Sequence, residues 1–266
     1  MNASYSVVFS LLGEKSEVYR TKDFIQGKGF QAAAGSFIIK NTPQVQKILP
    51  DLLEKWHLTA HEQEDIAAIP KAPLRNPRIG LFQSWSGTED EAWTRIALND
   101  LEVPYTSLHN EDFKASKGKK ADLKAKVDVI VFADEMTGVI KSGANRDSLR
   151  SAGTLPPEYQ GGIGDEGVAA LKTFVEQGGV VVCINNSCNF IIKELVVPAG
   201  NILERVPWNE FFASKSLVKI KVNNKSPIGY GMPAEAAAMF AQSGQGNRAS
   251  QSLAFSTSPT YSLTQA

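Results

Sequence analysis

Between Gly164 and Phe190 the sequence sets out a helix, a strand, a tight turn and a second apolar segment in immediate succession. The spacing predicts a helix over 165–177, ended by Gly178-Gly179, where glycine relieves the left-handed backbone of a helix terminus. The unbroken apolar run Val180-Val181-Val182-Cys183-Ile184 then reads as a strand covered on both faces, which is the habit of parallel sheets. It stops at Asn185-Asn186-Ser187-Cys188-Asn189, and a further apolar segment follows over 190–197. In three-layer α/β folds such a turn lies at the carboxyl edge of a buried strand, where enzymes of that architecture place a nucleophile. Here the small-x-nucleophile-x-small pattern is missing, and no glycine eases a sharp turn. The sequence therefore predicts a site in outline without the usual chemistry in it.

The same alternation extends upstream. A strand is expected over 78–82, a helix over 89–100 entered through Glu89-Asp90-Glu91, a strand over 105–108, and a nearly continuous apolar strand over 127–133. Strand and helix alternating at this spacing predict an α/β fold, a three-layer, flavodoxin-like parallel sheet. The stretch 136–164, rich in Gly, Pro, Ser and Asn, is too long for a passive connection and is expected to make an excursion over the sheet edge. Before this body, residues 1–72 read as a small α/β segment. It has a helix over 4–12, short strands over 17–20 and 35–39, and a helix introduced by Thr42-Pro43, an N-cap followed by proline at the first helical position. Pro50 argues for a kink or a late start in that helix, and the proline-rich stretch 69–77 is the best linker. Beyond the main body, assigned to 73–240, a strand is expected over 217–222 and an Ala-rich helix over 233–240. Residues 241–266 read as a weakly structured tail.

Charge balance narrows the classes of partner. Lys and Arg total 28 and Asp and Glu total 28, so no overall field draws the chain to nucleic acid or to an anionic membrane. The basic run 114–126 is broken by Asp122 and carries no interleaved aromatic residues, so it reads as a solvated face. The apolar patch Val7 to Leu12 is short and lacks a basic leader, which makes it a poor signal peptide, and no other segment approaches membrane-span length. Neither nucleic acid nor a membrane is an expected partner. The two cysteines, Cys183 and Cys188, are read as reduced, the first as a small core hydrophobe.

Candidate chemistry gathers at the predicted carboxyl edge. Ser187 or Cys188 could attack a carbonyl with His109, just beyond the second strand, as base, while amides at the start of the following helix stabilise an oxyanion. The simpler account is that Asn185, Asn186 and Ser187 cap that helix. Asp134 and Glu135, following the third strand, point to the same edge. With Asn185 and Asn186 they form the candidate ligand-binding set, although solvated loop residues would look alike. His57, His61 and Glu64 satisfy a zinc-like spacing, but the segment has poor helical periodicity and only His109 could add a third imidazole. They are read as a solvated surface, and neither a metal nor another cofactor is expected. Gly161-Gly162-Ile163-Gly164 precedes a helix without a preceding strand and lacks the Lys-Ser/Thr ending of a phosphate loop. Trp85 and Trp93 are read as packing residues.

Several segments carry a family resemblance. Arg78-Ile79-Gly80-Leu81-Phe82-Gln83-Ser84-Trp85, Asp90-Glu91-Ala92-Trp93-Thr94-Arg95, Pro104-Tyr105-Thr106-Ser107-Leu108 and Pro156-Pro157-Glu158-Tyr159-Gln160-Gly161-Gly162-Ile163-Gly164 are the first of them. With Tyr230-Gly231-Met232-Pro233-Ala234-Glu235-Ala236-Ala237-Ala238, they resemble the region that follows the catalytic domain of large bacterial zinc carboxypeptidase-like proteins. The resemblance covers residues 73–240 well and the first seventy or so more loosely. It implies a fold like that of class I glutamine amidotransferases and the role of an accessory domain. In those amidotransferases a cysteine stands at the turn after the strand; here the matching position is Asn185, so amidotransferase activity is not expected. The zinc-binding His-x-x-Glu and distant third His of the peptidases belong to a catalytic domain that would precede residue 1. After residue 240 the chain departs from the family, so a fragment is expected and peptidase activity is not carried over. The leading expectation is a non-catalytic accessory or ligand-binding domain, with a hydrolase using Ser187 or Cys188 as the alternative. A peptidase catalytic domain or a second copy of the chain is the expected partner. Relatives of that kind are exported, whereas this chain as it stands reads as cytoplasmic.

Overall fold

The computed structural model describes residues 3–115, 120–143, 156, 159–203, 206, 209–210, 216–240 and 255–256. Chain contacts divide it into two units, one comprising residues 1–76, 100–103 and 217–239 and the other 77–99, 104–216 and 240–266.

In the first unit, helix α1 (Ala3–Gly13) leads into β1 (Val18–Thr21), the hairpin β2 (Ile25–Gln26) and β3 (Gln31–Ala32), β4 (Phe37–Ile39), α2 (Pro43–Lys55) and β5 (Lys71–Pro73). Strand β1 lies between β4 and β5 and runs antiparallel to both. Val7, Val8 and Leu11 of α1 pack with Val18 and Val45 to form this unit's core. The Thr42 side chain accepts the Val45 amide at 3.3 Å, with Pro43 at the first helical position, as the sequence predicts. Helix α2 runs through Pro50 without a late start. Part of the expected linker is ordered as β5, because Leu74 and Lys22 close backbone bonds around its pairing with β1. The Arg20 guanidinium is enclosed by the rings of Tyr5, Phe37 and Tyr230 and donates to the Tyr5 hydroxyl at 2.7 Å.

The second unit is built on β6 (Ile79–Phe82), α3 (Glu89–Asp100), β7 (Thr106–Leu108), α4 (Leu123–Lys126), β8 (Val129–Phe132), α5 (Thr137–Ser142), α6 (Gly164–Glu176), β9 (Val180–Cys183) and α7 (Ser187–Glu194). A short strand β10 (Gly200–Asn201) follows. Strands β7, β6, β8 and β9 form, in that order, a four-stranded sheet in which every pairing is parallel. The fold is α/β, with a parallel sheet flanked by helices.

Register sorts the side chains onto two faces. On one face Phe82, Ile130 and Phe132 meet Leu123 of α4, Ile140 of α5, Leu171 and Phe174 of α6 and Phe190 of α7, with Val181 and Cys183 packed against them. Phe82 and Phe132 lie 4.9 Å apart at the centre of this layer. On the other face Leu81 pairs with Ser107 and Val131, and Val131 with Val182. Helix α3 lies on that second face, since Arg95 donates to the Ser107 hydroxyl at 3.3 Å. One handedness rule explains the split: the β6-to-β7 connection runs opposite to the connections leading to β8 and β9, and right-handed crossovers then carry their helices to opposite faces.

Strands β11 (Ser216–Lys221) and β12 (Glu235–Phe240) form a two-stranded sheet, and β13 (Phe255–Ser256) pairs antiparallel with β10. Strand β12 corrects the helix expected over 233–240. Eight residues are too few for a stable isolated helix even when rich in alanine, whereas Val222 donates to the Ala234 carbonyl at 2.9 Å and Lys219 pairs with Glu235 at 2.7 Å to fix a strand. Strands β11 and β12 group with the amino-terminal unit, although the sequence assigns them to the main body. Of the expected excursion 136–164, residues 136–143, which include α5, and residues 156 and 159–164 are described and the rest lies outside the described residues. So does the expected tail, apart from β13.

Tight backbone packing joins α5 to the entry of α6. A Cβ on Gly162 would lie 2.4 Å from the Ile140 carbonyl oxygen and 2.6 Å from the Ser142 nitrogen, both main-chain atoms that cannot step aside. Gly162→Ala is expected to destabilise the protein by about 2 kcal/mol. Gly13→Ala, with nothing within 4 Å of the added carbon, is expected to be neutral or stabilising by up to about 0.5 kcal/mol. Urea midpoints of the two variants check the contrast.

Candidate functional site

The four parallel strands end on one edge, and each delivers polar residues there: Ser84 after β6, His109 and Asn110 after β7, Asp134 and Glu135 after β8, and Asn185 to Cys188 after β9. Strand order reverses beside β6, since the chain steps from β6 to β7 on one side and returns to β8 on the other. Such a reversal opens a crevice between the diverging connections. Across it the Ser84 hydroxyl donates to Glu135 Oε1 at 2.5 Å and lies 3.2 Å from the Ser86 hydroxyl.

The turn after β9 is sharp. Asn185 has φ +51°, a left-handed conformation that asparagine adopts more readily than most non-glycine residues. Asparagine thus does the work that the sequence appeared to need a glycine for. Its side chain donates to Asp134 Oδ2, while the Asn186 amide and side chain both donate to Asp134 Oδ1, at 3.1 and 2.9 Å. One carboxylate therefore gathers the whole turn, and Asp134, Asn185 and Asn186 come together as a single cluster. Glu135 joins them through Ser187, whose hydroxyl accepts the Glu135 amide at 3.1 Å and donates to the Ala133 carbonyl.

Ser187 is fully buried. With its hydroxyl engaged on both sides, it ties the end of β8 to the start of α7 and presents no free oxygen for attack. This also corrects its reading as a cap: its bonds run across to the neighbouring strand rather than to its own helix. Cys188 is half-buried, and its thiol donates to the Cys183 carbonyl at 3.4 Å. Burial, followed by the Asp134 charge, raises its pKa, so the nucleophilic thiolate is disfavoured. Burial raises Cys183 further, to about 12, in keeping with its reading as a small core hydrophobe.

His109 is not brought to this turn. Strands β7 and β9 are the two outer strands of the sheet, separated by three strand spacings, or about 14 Å. Its imidazole stacks on Trp85 with centroids 3.9 Å apart, its Nδ1 lies 3.0 Å from the Gln83 carbonyl oxygen, and Trp85 in turn meets the ring of Tyr159. A base at one edge of the sheet cannot take a proton from Ser187 or Cys188 at the other, so the structure does not assemble the expected base–nucleophile pair. Trp85 packs as the sequence predicts, but Trp93 is largely exposed on α3. His57 and His61 lie in the other unit. His57 stands in a left-handed turn and His61 stacks on Phe30, and among the described residues no group of three His, Cys, Asp or Glu side chains is placed to hold a metal ion.

Sequence reasoning missed two partners of the crevice, Ser84 and Glu91. Glu91 is buried in the first turn of α3 and paired to Arg95 one turn later; the sequence marks it as part of an acidic helix start but not as a site residue. The acidic helix start was visible, but its proximity to Glu135 depends on strand order. Burial, opposed by the bond from Ser84 and reinforced by the charges of Glu91 and Asp134, raises the Glu135 pKa.

A carboxyl whose pKa is raised by folding costs stability once it ionises. That cost is absent below the ordinary value of 4.5 and sets in as the pH climbs through and above it. Glu135→Gln keeps an acceptor for Ser84 and is expected to be more stable than the parent at about pH 7, with the gap closing below about pH 4. Ser187→Ala leaves the buried Glu135 amide without its acceptor and is expected to cost about 1–3 kcal/mol at either pH. Denaturant titrations at the two pH values separate these effects.

Comparison with protein-family models, curated proteins and solved structures finds no match to this chain.

Proposed function

We propose that the parallel-sheet unit is a non-catalytic accessory domain that binds a ligand at the carboxyl edge of its sheet. In this reading it is a flavodoxin-like, class I glutamine amidotransferase-like module of the kind that follows the catalytic domain in zinc carboxypeptidase-like proteins. The strand order β7-β6-β8-β9 supports the flavodoxin-like assignment, because it has the same reversal beside the first strand. The observation that carries the reading is the turn after β9. Its left-handed position holds Asn185, a residue with no nucleophilic atom, and the side chain is tied to Asp134. Ser84, Asp134, Glu135 and Asn186 supply the polar groups a ligand would meet. The partner in this reading is a peptidase catalytic domain or a second copy of the chain.

The alternative, an esterase or amidase using Ser187 or Cys188, draws no support from the geometry. It would require a buried, doubly engaged hydroxyl or a thiol held protonated to act without a nearby imidazole. Purified protein is expected not to hydrolyse a panel of activated esters and short peptides, or to do so at a rate unchanged in Ser187→Ala and Cys188→Ala. Activity abolished in one variant that still folds, as judged by circular dichroism, would overturn the non-catalytic reading.

A further inference from the structure

Parallel sheets are almost always covered on both faces. On the face that carries α3, cover by the described residues thins from β6 toward β9. Leu81, Val131 and Val182 are register partners on adjacent strands. Leu81 is fully buried and Val131 half-buried, whereas Val182 is 42% exposed. The row below repeats the gradient: Ile79 and Val129 are half-buried and Val180 is 52% exposed. Ile184, two residues beyond Val182 and so on the same side, is 43% exposed. The opposite face shows no such gap, for there the layer of α4 to α7 covers Ile130, Phe132, Val181 and Cys183. Among the described residues β9 also ends the sheet, with β8 as its only strand neighbour.

The exposed residues Val180, Val182 and Ile184 lie on β9 and its end, and with the half-buried Val129 and Val131 of β8 beside them the thinly covered strip reaches across two strands, about 10 Å. That width matches one α-helix with its side chains. The half of the face over β6 and β7 already carries a helix, so a second helix alongside α3 continues the same layer at ordinary helix–helix spacing. The strip is aliphatic and β-branched along its length, and it borders acidic groups at its upper end. Asp134 is joined to Asn185 next to Ile184, and Asp90 lies near enough to Asp134 and Glu89 that, after burial, their charges raise its pKa. Among the described residues Glu89, Asp90 and Asp134 form no ion pair, and the donors to Asp134 are all uncharged amides. An apolar strip whose acidic end meets no cation among the described residues fits a partner of complementary pattern.

We infer that the exposed face of β9, with the half-buried valines of β8 beside it, is a docking site for one amphipathic helix of another polypeptide, apolar toward Val129, Val131, Val180, Val182 and Ile184 and basic at the end that reaches Glu89, Asp90 and Asp134. This binding mode is the helix-in-groove one, read through anchors on a single helical stripe. It shares Asp134 with the carboxyl-edge site but takes its apolar anchors from the face of the sheet, so the valine substitutions test it separately from any ligand bound at that edge.

The test uses the full chain and a labelled, helix-constrained peptide of about four turns, with leucines along one stripe and lysines at one end. A scrambled peptide of the same composition is the control, and binding is followed by fluorescence anisotropy. Val180→Lys and Val182→Lys change exposed positions, and their melting curves confirm that the fold is kept. The expected result is binding of the patterned peptide only, weakened about tenfold or more by either lysine substitution and several-fold by Asp90→Asn, with marked salt dependence. Absence of binding, or binding indifferent to both valine substitutions, would overturn the proposal. So would a dimer in light scattering that Val182→Lys dissociates, because the face would then belong to a second copy.

Discussion

The parallel register of β6, β8 and β9 is the constraint from which the remainder of the second unit follows. With side chains alternating across a strand, fixing Ile130 opposite Gly80 and Val181 sends Phe82, Phe132 and Cys183 to one side and Leu81, Val131 and Val182 to the other. A slip of one residue would exchange the two sets. The aromatic layer of Phe82, Phe113, Phe132 and Phe190 sits entirely on the side where α4 to α7 return, so the crossovers and the core specify each other. Gly80 shows how closely the pattern is drawn: a Cβ there would fall 2.4 Å from a methyl carbon of Leu108, so the layer uses the absence of a side chain to seat β7.

The same register brings the polar loops into range of one another. Asp134 follows β8 at the level where Asn185 follows β9, which lets one carboxylate collect two asparagines. Ser187 then locks the Ala133–Glu135 segment from below. The result is a well-braced turn whose hydrogen-bonding groups are mostly directed at the protein itself. Nucleophile turns in hydrolases hold their reactive atom exposed at the apex of a strained backbone. Here the backbone strain is present at Asn185, while the hydroxyl two residues later serves as a strut.

Much of this architecture can be read from local pattern. The helix over 89–100, the helix after Gly164 and the strand beginning at Val180 follow directly from apolar spacing, acidic first-turn residues and glycine stops. Asp134, Glu135 and Asn185 could be assigned to a common edge because each directly follows an apolar run. What local pattern does not encode is lateral order. His109 and Ser187 both follow strands, but β7 and β9 being outermost separates them, and no one-dimensional signal states that. Ser84 and Glu91 are brought beside Glu135 by the same lateral order, which is why the sequence does not assign them to the site. The alanines of 236–238 mislead in the other direction, since a small helical preference per residue yields to a strand partner distant in sequence.

The grouping of β11 and β12 with the amino-terminal strands bears on the order in which the molecule can be built. The elements of the parallel sheet, from β6 to α7, are all synthesised before Leu217. The unit that contains residues 1–76 is encoded before the parallel sheet yet lacks residues 217–239 until the sheet's elements have been made. Tyr230, which closes the ring of aromatics around Arg20, is among those late arrivals. During translation the later-encoded sheet can therefore reach its final packing while the earlier-encoded unit waits with Arg20 incompletely enclosed, reversing the usual order in which the domain encoded earlier folds first.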